Sequence, residues 1–300
     1  PFSFFATAGA VARLGATLVF ADIEPETFHL DLSRLDDVDR TRLRAAIPVH
    51  LFGDVMDLDP LRSWAGQEVR VLEDAAQAIA AVDVKGRMAG TVGEAGAFSF
   101  FPTKSITTGE GGMLTTNDGV LAQKVRCLIG HGIDKSTYER EISDKPWFRG
   151  ASMVGYNFRM SNFQAAMGLA QFKKLDTLNN RRRDLADIYK KNLSSLSQIR
   201  LPFEKPGNKH VYQMYTIQVE DAACRDGLVK HLRNSGIGAS VHFAPVVHEM
   251  KPFGNGKFRC GDMSNTQKVA SQIVTLPMCP DMPAVDAEWV AETIKNFFGE

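Results

Sequence analysis

Residues 69–104, VRVLEDAAQAIAAVDVKGRMAGTVGEAGAFSFFPTK, hold two apolar runs with strand character, each ending on residues that carry chemistry. The first, Val69–Leu72, delivers Glu73 and Asp74. The second, Ala95–Phe101, delivers Ser99 and then, through Pro102 and Thr103, Lys104. Both runs are apolar on both faces, as strands of a parallel sheet covered by helices are. Further runs of the same kind lie at Thr17–Ile23, Ala45–Phe52 and Met113–Thr116. Helical patterns alternate with them at Ala6–Leu14 (closed by Gly15), Leu58–Ala65 and Val120–Ile129. The alternation predicts an α/β domain with a large, mostly parallel mixed sheet and helices on both faces.

After residue 130 the texture changes. Ile133–Arg149 is polar and irregular, then Asn162–Lys174 and Asn179–Leu196 read as two long helices, with Arg181–Arg183 as a solvated face. A smaller α+β unit follows: strand Val211–Val219, helix Ala222–Asn234, strand Gly238–Phe243 and helix Val285–Phe298, with loops at Pro202–Lys209 and Lys251–Gly261. We divide the chain into a large domain over 1–182 and a small C-terminal one over 183–300. The chain opens inside an apolar segment, PFSFFATAGAVARLGA, so further sequence is expected upstream and the large domain is read as N-terminally incomplete.

Composition narrows the function classes. The 300 residues suit two packed domains. Lys+Arg and Asp+Glu each number 35, so no net field draws the chain to nucleic acid or an anionic membrane. No apolar run approaches the roughly 20 residues that span a bilayer, and no basic-then-apolar leader is read. The four cysteines are scattered without a C-x-x-C pair, which argues against a metal site and suits a reducing cytoplasm.

In α/β sheets, ligands collect beyond the carboxyl ends of the strands. A carboxylate at one such end and a lysine at another suit a cofactor that carries a pyridine nitrogen and an aldehyde. The amine condenses with the aldehyde, and the carboxylate keeps the ring nitrogen protonated. Hydroxyls and backbone N–H groups over Ser99–Thr108 offer phosphate ligands. Each residue alone has a simpler reading, Asp74 as a helix cap and Lys104 as a loop lysine, and taken singly the simpler reading is the stronger. Two nucleotide-binding look-alikes fail. Gly96–Ser105 has Thr103 where a P-loop needs glycine, and Gly109–Gly112 lacks G-x-G-x-x-G spacing and precedes a strand.

Three longer motifs, VLEDAAQA (71–78), KGRMAGTVGEAGAFSFFPTKSITTGEGGML (85–114) and GYNFRMSNFQAAMG (155–168), resemble the DegT–DnrJ–StrS sugar aminotransferases. The opening FSFFATAGAVARLGATLVFADIEPETF, PVHLFG (48–53) and VHFAP (241–245) fit the same family in order, so the resemblance covers nearly the whole chain. It implies a fold-type-I, pyridoxal-phosphate (PLP)-dependent aminotransferase that moves an amino group from L-glutamate or L-glutamine to a keto sugar on a nucleotide. By position, Lys104 resembles the Schiff-base lysine and proton shuttle, and Asp74 the partner of the pyridinium nitrogen. Gln77 is similarly matched to the ring hydroxyl and Ser99 to the phosphate. Phe2 resembles an aromatic ring against the cofactor face, with a plain core phenylalanine as the equal alternative. Asn157 and Arg159 resemble a loop that enters the partner subunit's site, which implies a homodimer with shared active sites. His242 is matched to the substrate side, although a structural role is the stronger reading for it, as for His248. Gln213 stands where many relatives have histidine. Relatives begin some tens of residues earlier with a Gly-Thr loop for the phosphate. A dehydratase on this fold replaces the lysine with histidine, which Lys104 argues against. An aromatizing synthase and a PLP-binding regulator without turnover stay open.

Overall fold

In the computed structural model, which describes residues 1–35, 38–135, 137–253 and 258–300, the first half opens with α1 (Ala6–Arg13), β1 (Leu18–Phe20) and β2 (Ala45–Ala46). Then come α2 (Asp59–Ala65), β3 (Arg70–Asp74), β4 (Ala95–Ser99), β5 (Gly112–Thr115) and α3 (Gly119–Ile129). A short α4 (Thr137–Glu141) precedes α5 (Asn162–Phe172) and the long α6 (Leu175–Leu193). The second half adds β6 (Ile199–Arg200), β7 (Tyr215–Val219), α7 (Ala222–Asn234) and β8 (Phe258–Cys260). It ends with α8 (Ser264–Gln272), β9 (Ile273–Leu276) and α9 (Ala284–Phe298).

Strand order in the first sheet is β2-β3-β4-β5, with β2, β3 and β4 parallel and β5 antiparallel to β4. This is the mixed sheet that the two-faced apolar runs predict. Its register decides where the site lies. Asp74 pairs with Ala97, so β3 ends two residues short of Ser99, and both strands deliver their last residues to the same edge. The second sheet, β6-β7-β9, is antiparallel throughout, and β1 pairs with β8 in a parallel ladder that ties the start of the chain to its late part.

Helix α6 serves both halves. Leu175, near its start, packs with Phe100 and Ile106 under the first sheet. Leu185, Tyr189 and Leu193 join Ile217, Leu228 and Ile294 in the core of the second. Each such leucine or isoleucine contributes roughly 1.5–3 kcal/mol by leaving water, and truncating one to alanine costs about 2–5 kcal/mol. The division read at 182/183 falls inside this continuous helix. The arginine triplet is not a uniformly solvated face. Arg182 is buried, and Arg183 donates to Glu204 and to the His210 carbonyl.

The helices read from sequence lie within a few residues of their expected limits because their signals are local, whereas α4 and α8 were not read. α7 begins where Asp221 caps the Ala223 N–H, and Gly15, at φ +73°, closes the turn after α1. Strands depart more. The run Ala45–Phe52 is ladder only at its first two residues, because Phe52 (φ +56°) and Gly53 (φ +107°) turn the chain. Val211–Val219 likewise becomes strand only from Tyr215. Gly238–Phe243 is no strand but a segment with one bridge, Ser240 to Thr275. The partner of β7 is instead β9, an unbroken buried run directly after α8 with no turn signal before it. The loop read at Lys251–Gly261 contains β8, and its residues 254–257 lie outside the described residues.

Candidate active site

Asp74 closes β3 with a half-buried carboxylate that is fully oriented. Its Oδ1 accepts the Ala76 N–H at 3.1 Å, as a cap does, and its Oδ2 accepts the Thr7 hydroxyl at 2.6 Å from the first turn of α1. The simple cap is thus only half of its role. Its neighbour Glu73 points the other way into the core. There Glu73 accepts His50 Nε2 (2.8 Å) and the N–H groups of Gly90, Val92 and Gly93. Burial alone would raise the Glu73 pKa, but the His50 bond and these amides hold it below the usual carboxylate range. His50 Nδ1 accepts the Met56 N–H, which leaves Nε2 as the nitrogen that donates to Glu73. Glu73 braces the strand; Asp74 is left for the site.

Lys104 follows β4 on a loop tied at several points. Its N–H bonds the Phe101 carbonyl (3.0 Å), and the Thr108 N–H returns to Phe100. Gln171 of α5 accepts the Thr107 N–H at 3.0 Å. Helix α5 comes close enough that a Cβ on Gly168 would lie 2.9 Å from Thr108 Cγ2, which explains a glycine in mid-helix. Burial pushes the Lys104 ammonium below its ordinary range, and the Asp74 carboxylate opposes that shift. The pair therefore shares one electrostatic site, with the two groups supplied by adjacent parallel strands.

Gln77 sits one turn after Asp74. Its Oε1 accepts the Phe52 N–H (2.9 Å), while among the described residues its Nε2 meets only the Met214 thioether at 3.7 Å, so a strong donor is left to give. Ser99 accepts a long bond from the Phe101 N–H, and its hydroxyl proton is uncommitted there. The hydroxyls of Thr107 and Thr108 are spent on the carbonyls of Phe100 and Glu110, which removes them from the expected phosphate donors. Ser105 Oγ, next to Lys104, is buried and has no partner among the described residues.

Phe2 takes its core option, a correction to its matching with the cofactor face. Only 2% of it is exposed, and its ring is enclosed by Phe28, Phe52 and Phe243. Two rings on this segment are open, Phe4 (52% exposed) and Phe5 (47%), and Phe4 is the one that lies one turn before Thr7. Neither Phe4 nor Thr7 was singled out by sequence. Thr7 lies in a run of small residues, and its partner is 67 positions away.

His242 lies in the 238–243 segment. Its Nδ1 is 2.9 Å from Thr275 Oγ1, and burial, then the nearby positive charge of Lys104, hold its pKa below the ordinary histidine range. Asn157 and Arg159 are elsewhere on the surface. The 156–158 stretch pairs with 128–131, and Arg159 Nη2 lies 3.4 Å from both Asn157 Oδ1 and His131 Nε2. No hydrogen bond or ion pair joins either residue to Lys104 or Asp74 among the described residues. The structure thus gathers Lys104 and Asp74, sets His242 within their electrostatic reach, and leaves Asn157 and Arg159 on an outer face.

The donor set fits PLP. A lysine whose amine is biased toward its neutral form, a carboxylate held for a cationic nitrogen, and unspent donors on Gln77, Ser99 and Ser105 match the amine, ring and phosphate chemistry of that group. Among the described residues, no group of three or more His, Cys, Asp or Glu is placed to hold a metal ion, and none of the described helices is long and apolar enough to cross a membrane.

Comparison with known proteins gives the family. A family model described as the DegT/DnrJ/EryC1/StrS aminotransferase family matches residues 1–295. The spore coat polysaccharide biosynthesis protein SpsC of Bacillus subtilis is 36% identical over 304 residues, covering 99% of this chain and 77% of that protein. GDP-perosamine synthase of Caulobacter vibrioides is 38% identical over 257 residues, covering 84% of this chain and 66% of that one. Among solved structures, S. venezuelae DesV in complex with a ketimine intermediate superposes with a TM-score of 0.88 at 30% identity, covering 99% of this chain and 76% of that chain.

Proposed function

We propose, from the premise that this chain belongs to the DegT/DnrJ/EryC1/StrS aminotransferase family and is a PLP-dependent sugar aminotransferase, that it moves an amino group from L-glutamate or L-glutamine to a keto sugar on a nucleotide. The observation that carries this reading is the shared electrostatic site of Lys104 and Asp74 at one edge of the β3–β4 pair. The relatives point the same way, since one is a GDP-perosamine synthase and another a spore coat polysaccharide biosynthesis protein.

PLP, when bound, supplies an aldehyde for amine exchange and an electron-withdrawing ring. The chain supplies the rest. Lys104 would hold the cofactor, and its amine, when free, would move the proton at the substrate carbon. Its depressed pKa keeps more of the amine neutral at neutral pH than in an exposed lysine, which suits a general base. Asp74, oriented by Thr7 and Ala76, would set its carboxylate against the ring nitrogen. Gln77 Nε2 would donate to the ring hydroxyl, and Ser99 and Ser105 would offer hydroxyls to the phosphate. Phe4 is the ring we assign to the cofactor face, and His242 to the sugar side.

The site is shared between two copies in this reading. Helix α5 has no buried residue, and Phe163 (78% exposed), Leu169 and Phe172 stand open on it. Val154 (94% exposed), just before the GYNFRM segment, and Tyr156 and Phe158 within it are exposed as well. An apolar face of this extent needs a cover. An isologous pairing of two copies supplies it and lets Asn157 and Arg159 serve the partner's site.

The test is half-transamination. The PLP-loaded enzyme incubated with L-glutamate or L-glutamine should lose its visible absorbance and release the matching 2-oxo acid. Nucleotide-linked keto sugars should restore the absorbance, and free keto sugars should not. Restoration by simple 2-oxo acids alone would overturn the assignment of substrate.

A further inference from the structure

Gln213 reaches the Lys104 loop from the other half of the chain. It follows Tyr212, whose φ is +45°, and precedes β7, so the backbone turns there and presents a buried amide across the seam. Its Nε2 lies 2.8 Å from the carbonyl oxygen of Thr103, the residue just before Lys104. A carbonyl oxygen only accepts, so the nitrogen must face it, and this fixes the orientation of the amide. Its Oε1 is buried and has no partner among the described residues. The donation to Thr103 is thus the one hydrogen bond that orders this side chain.

Among the described residues, every other hydrogen bond on the loop comes from its own half, including those with Phe100, Phe101, Glu110, Gly111 and Gln171. Among the described residues, Gln213 makes the only hydrogen bond from beyond α6 to residues 99–108. We propose that Gln213 is a positioning residue for Lys104. By holding the Thr103 carbonyl, it keeps the lysine stem in its partly desolvated place and so sets the fraction of neutral amine at working pH. This rests on the reading of Lys104 as the cofactor lysine.

The test uses the cofactor-free full chain, with formaldehyde and cyanoborohydride as the probe and Lys104 alkylation read by peptide mass as a function of pH. Wild-type protein should show a midpoint below that of exposed lysines in the same digest. Gln213→Leu should move it up by about one unit, which makes Lys104 about tenfold slower to react below both midpoints. Gln213→His, which returns an N–H donor at similar reach, should restore most of the shift. Should the leucine variant unfold by circular dichroism, Gln213→Asn, one methylene too short for Thr103, carries the same expectation. A folded Gln213→Leu protein with the wild-type midpoint overturns the proposal, as does a shift that histidine leaves uncorrected. Failure of the underlying reading looks different. In that case the wild-type chain, reduced with PLP present, carries the cofactor on another lysine.

Discussion

The Thr7 hydroxyl donates to Oδ2 of Asp74 across 2.6 Å and joins the first turn of α1 to the last residue of β3. Hydrogen bonds to a carboxylate contribute about 1.5–3 kcal/mol. Thr7→Val, close in shape but lacking the donor, should lower turnover by roughly tenfold or more (about 1.4 kcal/mol per decade). Thr7→Ser should recover most of it. Equal kcat in the valine variant and wild type would make the contact incidental.

Asp74→Asn should still load cofactor but transaminate orders of magnitude more slowly. A neutral amide keeps the Ala76 contact yet cannot hold a proton on the ring nitrogen. A loss of tenfold or less, about 1.4 kcal/mol, would reduce Asp74 to a helix cap.

Two buried histidines make stability depend on pH. Burial lowers the His29 pKa to about 3 and the His210 pKa to about 4, and His210 Nδ1 already accepts the Tyr212 N–H. Both are neutral in the folded chain, whereas the unfolded chain protonates near pH 6.5. The unfolded state therefore binds more protons below that value, and stability should fall as pH drops from about 6.5 toward 4, by up to roughly 1.4 kcal/mol per unit per histidine. His210→Asn, whose Oδ1 can replace Nδ1 as acceptor, should flatten part of that slope in urea midpoints taken across this range. An unchanged slope would remove His210 from the account.

A shared site predicts complementation. Inactive Lys104→Ala and an inactive Asn157→Ala variant, mixed under conditions where subunit exchange is demonstrated, should regain activity, because one site of the mixed dimer has both wild-type residues. Exchange without recovery would return Asn157 to its own chain's surface.

How much of this was legible depended on how local each cause is. Asp74 and Lys104 share an edge because their strands are parallel, and parallel strands were readable from two-faced apolar runs. The limits of α7 were readable from Asp221 and the 3.6-residue period. Phe2 and Phe4 could not be told apart, because both are phenylalanines in one apolar run and only the packing of Phe28, Phe52 and Phe243 decides which is enclosed. Strand β9 was missed because IVTL follows α8 without a breaker, and its pairing with β7 spans some sixty residues. The roles of Thr7 and Gln213 rest on single contacts across 67 and 110 positions, which leave no periodic trace.

The central claim is that Lys104 holds the cofactor. Borohydride reduction of the PLP-loaded enzyme, followed by peptide mass mapping, tests it most directly. The label should appear on the peptide containing Lys104 and on no other, and Lys104→Ala should carry none and should not turn over. A label on a different lysine, or one that persists in Lys104→Ala, would contradict the account.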